Sequence, residues 1–198
     1  MLLYYIWCIT LEIQISMKTL FTILALSVVL VSCKKEKDQK DTIPQPVTTV
    51  GGTYAGGTVF YLSEDGQHGL VMTENDIDTC KWYEGTVFLI GTTSYQFGEG
   101  SNNTNEIVTA QGSGHYAAKI CSDLVLNGYS DWYLPSKDEL LKIKQANFVF
   151  NVSGKYWSST EDTYADYAWY TQLGSGMPFI ENVAGKGSSF RVRAIRGF

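Results

Sequence analysis

Two histidines and four cysteines are all that this 198-residue chain offers for imidazole or thiol chemistry. His115 lies near the start of a helical pattern. It could act as a base, but no Ser or Cys is placed to use it, so a helix-surface role is expected. The acids offer more. Asp131 and Glu139 could form an acid pair beside Trp132. The competing reading is that Ser136-Lys137-Asp138-Glu139 is a capping box, with Glu139 reaching back to Ser136 and Trp132 left to the core. Asp76 and Asp78 could ligate Ca²⁺, but they lack the spacing of an EF-hand loop and read as a solvated turn. Arg191 and Arg193 lie two apart on a strand and share a face. They could grip a carboxylate or sulfate through paired bonds; with acids in excess, pairing with one of the domain's own carboxylates is expected.

The aromatic stretch Tyr164 to Tyr170 (YADYAWY) is the other candidate. Aromatics with one polar end suit recognition surfaces and stack on sugar rings. Strand alternation puts Tyr167, Trp169 and Thr171 on one face and Ala168 and Tyr170 on the other. One face must be core, so only part of the set can meet a ligand.

Composition narrows the classes. The chain has 15 Lys+Arg against 20 Asp+Glu, a formal charge of −5, with 44% hydrophobic residues. This is the composition of a globular protein. Its acidity speaks against a nucleic-acid partner, which requires a basic stripe to displace counterions. Aromatics reach 14%.

Residues Leu20 to Val31 (LFTILALSVVLV) form an apolar run too short for a bilayer span of about 20 residues, although a membrane anchor is the competing reading. Its length fits the h-region of a secretory signal, with Met17-Lys18 as start and positive n-region. Residues 1–16 carry Glu12 and no Lys or Arg, so Met17 is the expected true start. Leu30-Val31-Ser32-Cys33 resembles a bacterial lipobox, which implies a signal peptide over 1–32 and a lipidated Cys33; ordinary cleavage near Ser32 is the alternative. Residues 33–50 alternate in charge, carry Pro44 and Pro46 and read as a flexible tether. The globular domain then spans 51–198, long enough for one core.

Cys8 lies upstream of the expected start, which leaves Cys80 and Cys121 as an even pair in an exported domain. Export favours one disulfide, closing a loop and contributing about 3–4 kcal/mol in the chain-entropy model. Two free buried thiols, or a catalytic Cys using His115, are the alternatives.

Several elements are needed to position these groups. Thr58–Leu62 and Gly69–Met72 read as a hairpin around the Asp-Gly turn of Glu64-Asp65-Gly66. Residues 98–105 read as a polar loop. His115 to Leu126 has helical spacing, with Asn127-Gly128 as its stop. Trp132–Leu134 reads as a short strand and Ser136 to Ala146 as a helix. Lys155–Ser159, Tyr167–Leu173, Met177–Val183 and Ser189–Ile195 read as strands, with turns at Gly174-Ser175-Gly176 and Gly185-Lys186-Gly187. Two helices on antiparallel strands make an α+β domain.

The segments Gly57–Leu62, Gly66–Val71, Gly128–Leu140, Tyr156–Glu161 and Arg191–Arg196 carry a resemblance. They are similar to the C-terminal domain family of the Legionella collagen-like adhesin and to the Fibrobacter succinogenes major paralogous domain. The resemblance implies a C-type-lectin-like fold, distantly related to the formylglycine-generating enzyme, on an exported, surface-displayed adhesion or binding domain. The chain departs from these relatives in two respects. No Cys follows Cys121, so the oxidase chemistry of that enzyme lacks its residues. The Glu-Pro-Asn, Gln-Pro-Asp and Trp-Asn-Asp tripeptides of calcium-dependent lectins are missing, so no metal or cofactor is expected. The acidic balance disfavours sulfated glycans and leaves Lys137, Lys142 and Lys144 as a local basic patch. On such a scaffold the C-terminal loops and strands present ligand groups, which implies Tyr164, Asp166, Tyr167, Trp169, Tyr170, Glu181 and Asn182 as the recognition set.

The expectation is therefore a non-catalytic, lipid-anchored domain on the bacterial outer membrane that recognises a glycan or protein at the cell surface. Two alternatives stand beside it. One is an exported glycan-acting hydrolase, which needs two carboxylates about 5–9.5 Å apart; the other is an envelope structural lipoprotein.

Overall fold

The Glu64-Asp65-Gly66 turn forms as expected. Ser63 Oγ and the Gln67 N–H donate to the Asp65 carboxylate at 2.5 and 2.9 Å. The turn joins β2 (Gly57–Leu62) to β3 (Gly69–Met72) in antiparallel register, with Val59 opposite Val71. β1 (Thr53–Tyr54) and β9 (Ile195–Gly197) complete a sheet of order β1-β2-β3-β9. The computed structural model describes residues 49–150, 152–174 and 181–198. The expected signal peptide, Cys33 and nearly all of the tether lie outside the described residues, as do Met177–Ile180 of one expected strand. Among the described residues no helix is long and apolar enough to cross a membrane.

A second sheet holds β4 (Asp78–Lys81), β5 (Gly154–Glu161), β6 (Tyr167–Leu173), β7 (Glu181–Gly185) and β8 (Ser189–Val192) in the order β4-β8-β5-β6-β7. The expected strand Ser189–Ile195 divides in two. β8 ends at Val192, and Arg193-Ala194 carry the chain across to the other sheet as β9. β5 and β8 pair in parallel, Tyr156 opposite Arg191, where an antiparallel run was expected. Trp132–Leu134 makes one bridge, Tyr133 to Ile195, and no strand. Its backbone is spent elsewhere: the Leu134 N–H donates to Thr104 Oγ1 at 3.0 Å.

The helices depart most from expectation. α1 (Gly100–Gln111) occupies a segment read as a polar loop. Its inward face is largely polar in its first half: Asn103 Nδ2 donates to Ser94 O at 2.6 Å and to Ser159 Oγ at 3.1 Å, Thr104 Oγ1 bonds Leu134, and Ile107 is the fully buried apolar side chain. A helix docked through hydrogen bonds shows little apolar period, which is the signal that sequence reading relies on. Gly100 starts it because a Cβ there would come within 2.8 Å of Ser136 N and collide with the Glu139 carboxylate. α2 (Ala117–Ser122) is shorter than the expected helix, and α3 (Lys137–Gln145) matches its expectation to within a residue at each end. A single further turn, α4 (Asn147–Phe150), follows. The architecture is thus α+β with more than the two expected helices.

The second sheet is covered on both faces. Trp82, Ile107, Ala117, Trp132 and Trp157 belong to one buried cluster; Phe60, Met72, Leu140, Ile143 and Leu173 to the other. Trp82 and Trp157 cross-link the strands by donating to Ser158 O and Cys80 O at 2.7 and 3.0 Å. The expected Cys80–Cys121 disulfide is not formed: both are free, buried thiols in the first cluster. Burial, with help from nearby Asp78, pushes the Cys80 thiol up to about 12. Burial, with a smaller push from Cys80, carries Cys121 well above its ordinary value. Each packs as a small apolar group with its thiol held in the protonated form.

Candidate recognition site

β5 and β6 are joined by a hairpin whose tip carries Tyr164. The tip is closed by the Tyr167 N–H to Tyr164 O and the Asp162 N–H to Tyr167 O, both 3.1 Å. Tyr164 is 73% exposed and Tyr167 43%. Along β6 the expected alternation holds. Ala168 and Tyr170 face the core, where the Tyr170 ring lies 4.8 Å from Phe190 and 6.5 Å from Trp157. Trp169 is half-buried on the opposite face, with the Lys137 Nζ 4.2 Å above its ring and 5.8 Å from the Tyr95 ring. Thr171 shares that face but is fully buried.

The recognition set therefore divides. Tyr164, Asp166 and Tyr167 are exposed, Trp169 is partly so, and Tyr170 is a core residue at 8% exposure, which corrects its place in the set. Asn182 is exposed but engaged: its Oδ1 accepts from the Val183 N–H at 2.8 Å. The Lys186 N–H donates to Asp166 O at 2.8 Å, and bonding pairs alternate along an antiparallel ladder, so the Val183 N–H points away from β6. Asn182 thereby covers an outward donor of an edge strand. Glu181 sits opposite Thr171 in β7, and its side chain lies outside the described residues.

A cavity of about 300 Å³ opens beside the tip, lined by Leu89, Gly91, Thr93, Glu161, Asp162 and Thr163. Glu161 builds its rim. Its carboxylate accepts from the Ile90 N–H at 2.9 Å and the Gly91 N–H at 2.8 Å, and it pairs with Lys186. Phe88 and Leu89 of the same loop are exposed. Sequence reading missed Lys186 and this loop. Lys186 lies in a Gly-Lys-Gly turn that reads as solvated, yet its side chain is fully buried.

The other candidates are occupied. Ser136 N–H donates to Glu139 Oε2 at 2.7 Å, and the Glu139 N–H to Ser136 Oγ at 3.3 Å, completing the capping box. Asp131 instead receives Arg196 in two bonds, 2.7 and 2.9 Å. Arg191 and Arg193 do pair with a domain carboxylate, Asp76, at 2.6 Å each, and Tyr156 OH donates to it at 2.9 Å. Asp78 lies 3.0 Å from exposed His115. Of the expected basic patch, Lys142 Nζ lies 5.8 Å from the Tyr61 ring and Lys144 donates to Gln172 O at 2.9 Å.

The described residues thus form an α+β domain of two sheets, with Asp76, Asp131, Glu139 and Glu161 engaged in caps and ion pairs and Tyr164 and Tyr167 exposed on a hairpin tip. The chain belongs to the Lcl C-terminal domain family, whose model matches residues 62–196. No curated protein matches the sequence. Among solved structures, a fimbrial protein from Bacteroides ovatus is similar at 19% identity and a TM-score of 0.48, covering 80% of this chain. The chain spans about 40% of that protein's length.

Proposed function

We propose that this chain is an exported, lipid-anchored recognition domain of the adhesion type, C-type-lectin-like in its use of the hairpin end of the second sheet, and that it binds without catalysis. The observation that carries the reading is the display of Tyr164 and Tyr167 on a closed hairpin tip beside a cavity rimmed by Glu161 and Asp162. Stacking on the two rings supplies affinity, and Asp162 and Asp166 orient the ligand. The engagement of Asp76, Asp131, Glu139 and Glu161 in caps and ion pairs supports binding over hydrolysis, which needs two carboxylates facing a cleft. The ligand is a glycan or protein at the cell surface.

The test is a glycan array and whole-cell binding with the native chain and with a Tyr164→Ala/Tyr167→Ala variant. Binding lost in the variant supports the tip as the site; undiminished binding places recognition elsewhere. Mass spectrometry of the native N-terminal peptide tests the anchor: acylated Cys33 is expected, and an intact peptide running from residue 20 through residue 40 overturns it.

A further inference from the structure

Among the described residues one apolar face is left open. A groove of about 360 Å³ lies between β2 and the last turn of α3. Phe60, Tyr61 and Leu62 line it from β2, Lys142 and Ala146 from the helix, and Val50 from the N-terminal edge of the domain. Apolar side chains continue it on either side. Val149 lies so close to Gly51 that a Cβ there would come within 2.6 Å of it. The Phe97 ring meets Tyr61 edge-on at 4.8 Å. Val50, Phe97 and Val149 are 39, 40 and 42% exposed. Single exposed apolar residues are ordinary, but three joined through one apolar groove mark an interaction surface.

Its chemistry and its place in the fold point to one occupant. Among the described residues of the lining, Lys142 is the charged one. Its Nζ lies 5.8 Å from the Tyr61 ring, so the stem follows apolar surface while the ammonium stays at the rim. Glu64 and Asp65 of the β2–β3 turn and Glu99 beyond Phe97 stand outside the lining, and Asp65 is occupied by Ser63 and Gln67. Apolar side chains edged by a tyrosine and a lysine suit the headgroup boundary of a bilayer. The face also lies away from the hairpin tip. At one end of α3 the Lys137 N–H donates to Thr160 Oγ1 at 3.0 Å, close to the tip; at the other, Lys144 reaches Gln172 O near the far end of β6. Lys142 and Ala146 belong to that far end.

We propose that this face docks the domain on the bilayer that anchors it, with Val50, Phe97 and Val149 entering the headgroup boundary and Lys142 meeting lipid phosphate. The proposal rests on the anchored reading of the chain. Only residues 34–49 separate Val50 from Cys33. A coil of that length has a root-mean-square span of about 20–24 Å, so a chain acylated at Cys33 keeps the groove within reach of the lipid. The bilayer is then an intramolecular partner, and a patch of weak intrinsic affinity still docks. Docked at this end, the domain turns Tyr164 and Tyr167 away from the surface.

The test places the full chain, as a bacterial host processes it, one copy per disc in nanodiscs of phosphatidylethanolamine and phosphatidylglycerol that carry a nitroxide lipid, and reads amide NMR. The amides of Val50, Leu62, Phe97, Gln145 and Val149 should broaden, while those of Asp162, Tyr164 and Tyr167 keep their intensity. A Val50→Glu/Val149→Glu variant should lose that pattern about tenfold; both side chains are exposed, so its melting temperature should hold. Lys142→Glu, which keeps the apolar face, should weaken docking by about fivefold or more. Equal broadening on all faces, broadening centred on the hairpin tip, or an undiminished pattern in both variants overturns the proposal. So does a pattern that forms only with two or more chains per disc, which assigns the face to a second copy. The mass of the N-terminal peptide reports the anchor separately: an unacylated Cys33 refutes the anchor alone, and the same amide pattern at about 10 mM added lipid still decides the docking.

Discussion

The ammonium of Lys186 meets the carboxylate of Glu161 where both side chains are closed to solvent. The rings of Trp82 and Tyr83 lie 4.6 and 5.6 Å from that ammonium, and it also donates to Phe88 O at 3.2 Å. Glu161 accepts in turn from Ile90 and Gly91. One ion pair thus ties together the end of β5, the β7–β8 turn and the loop that frames the tip cavity. Buried charges are tolerated only with this degree of mutual satisfaction.

Removing one partner therefore costs more than removing both. Lys186→Ala strands a buried carboxylate and should destabilise the domain by about 3–5 kcal/mol. A Lys186→Met/Glu161→Gln variant, which keeps the volume and an acceptor for Ile90 and Gly91, should recover most of that loss. Urea unfolding of the three proteins is the measurement. A Lys186→Ala loss below about 1 kcal/mol, the scale of a surface pair, would refute a structural role.

Acid should weaken the fold through Asp76 and Asp131. Burial raises the Asp76 pKa, but bonds from Arg191, Arg193 and Tyr156 outweigh it and hold the carboxyl below its ordinary 3.8. The bond from Arg196 likewise lowers Asp131. A depressed folded-state pKa contributes stability that is complete above the unfolded value and is lost as pH falls through the folded one. Glu139 acts in the opposite sense: burial raises it above 4.5, so its contribution is full in acid and declines as pH rises through the raised value. The melting temperature should fall as pH drops below about 4, and Asp76→Asn should flatten that limb. An unchanged limb in the variant would acquit Asp76.

Much of this was legible in the sequence because local rules fix it. The Asp-Gly hairpin, the capping box at Ser136 and the alternation along β6 each follow from spacing alone, and each formed. The pairing of Arg191 and Arg193 with a domain acid follows from charge excess, although not the identity of Asp76. What failed depends on distant partners. α1 buries Asn103 and Thr104 against Ser94, Ser159 and Leu134 beside the single apolar Ile107, so its packing face carries too few apolar residues to show a period. Lys186 is buried by an aromatic pocket and a carboxylate far away in sequence. Cys80 and Cys121 share a core cluster without bonding, which a cysteine count does not reveal.

The two thiols should be inert in the native protein. Thiolate is the reactive form, and burial raises both pKa values far above neutral. Peptide mapping after iodoacetamide treatment at neutral pH should find Cys80 and Cys121 unmodified in the folded chain and fully labelled in guanidinium. Rapid native labelling of either would show that the first core cluster opens to solvent.

Tyr164 and Tyr170 lie on one short stretch, yet their removal should have opposite consequences. Tyr170 fills core space beside Trp157 and Phe190. Tyr170→Ala removes that packing and leaves a cavity, at a cost of about 3–5 kcal/mol. Tyr164 and Tyr167 face water, so their alanine variants should stay within about 0.5 kcal/mol of wild type. Trp169→Ala should fall between, since it loses partial burial and the Lys137 ammonium above its ring, an interaction of about 1 kcal/mol. Denaturant midpoints for the four variants give the order, and ligand capture gives the reverse one. Stability that falls with Tyr164→Ala as far as with Tyr170→Ala would return the hairpin tip to the core and remove it as a recognition surface.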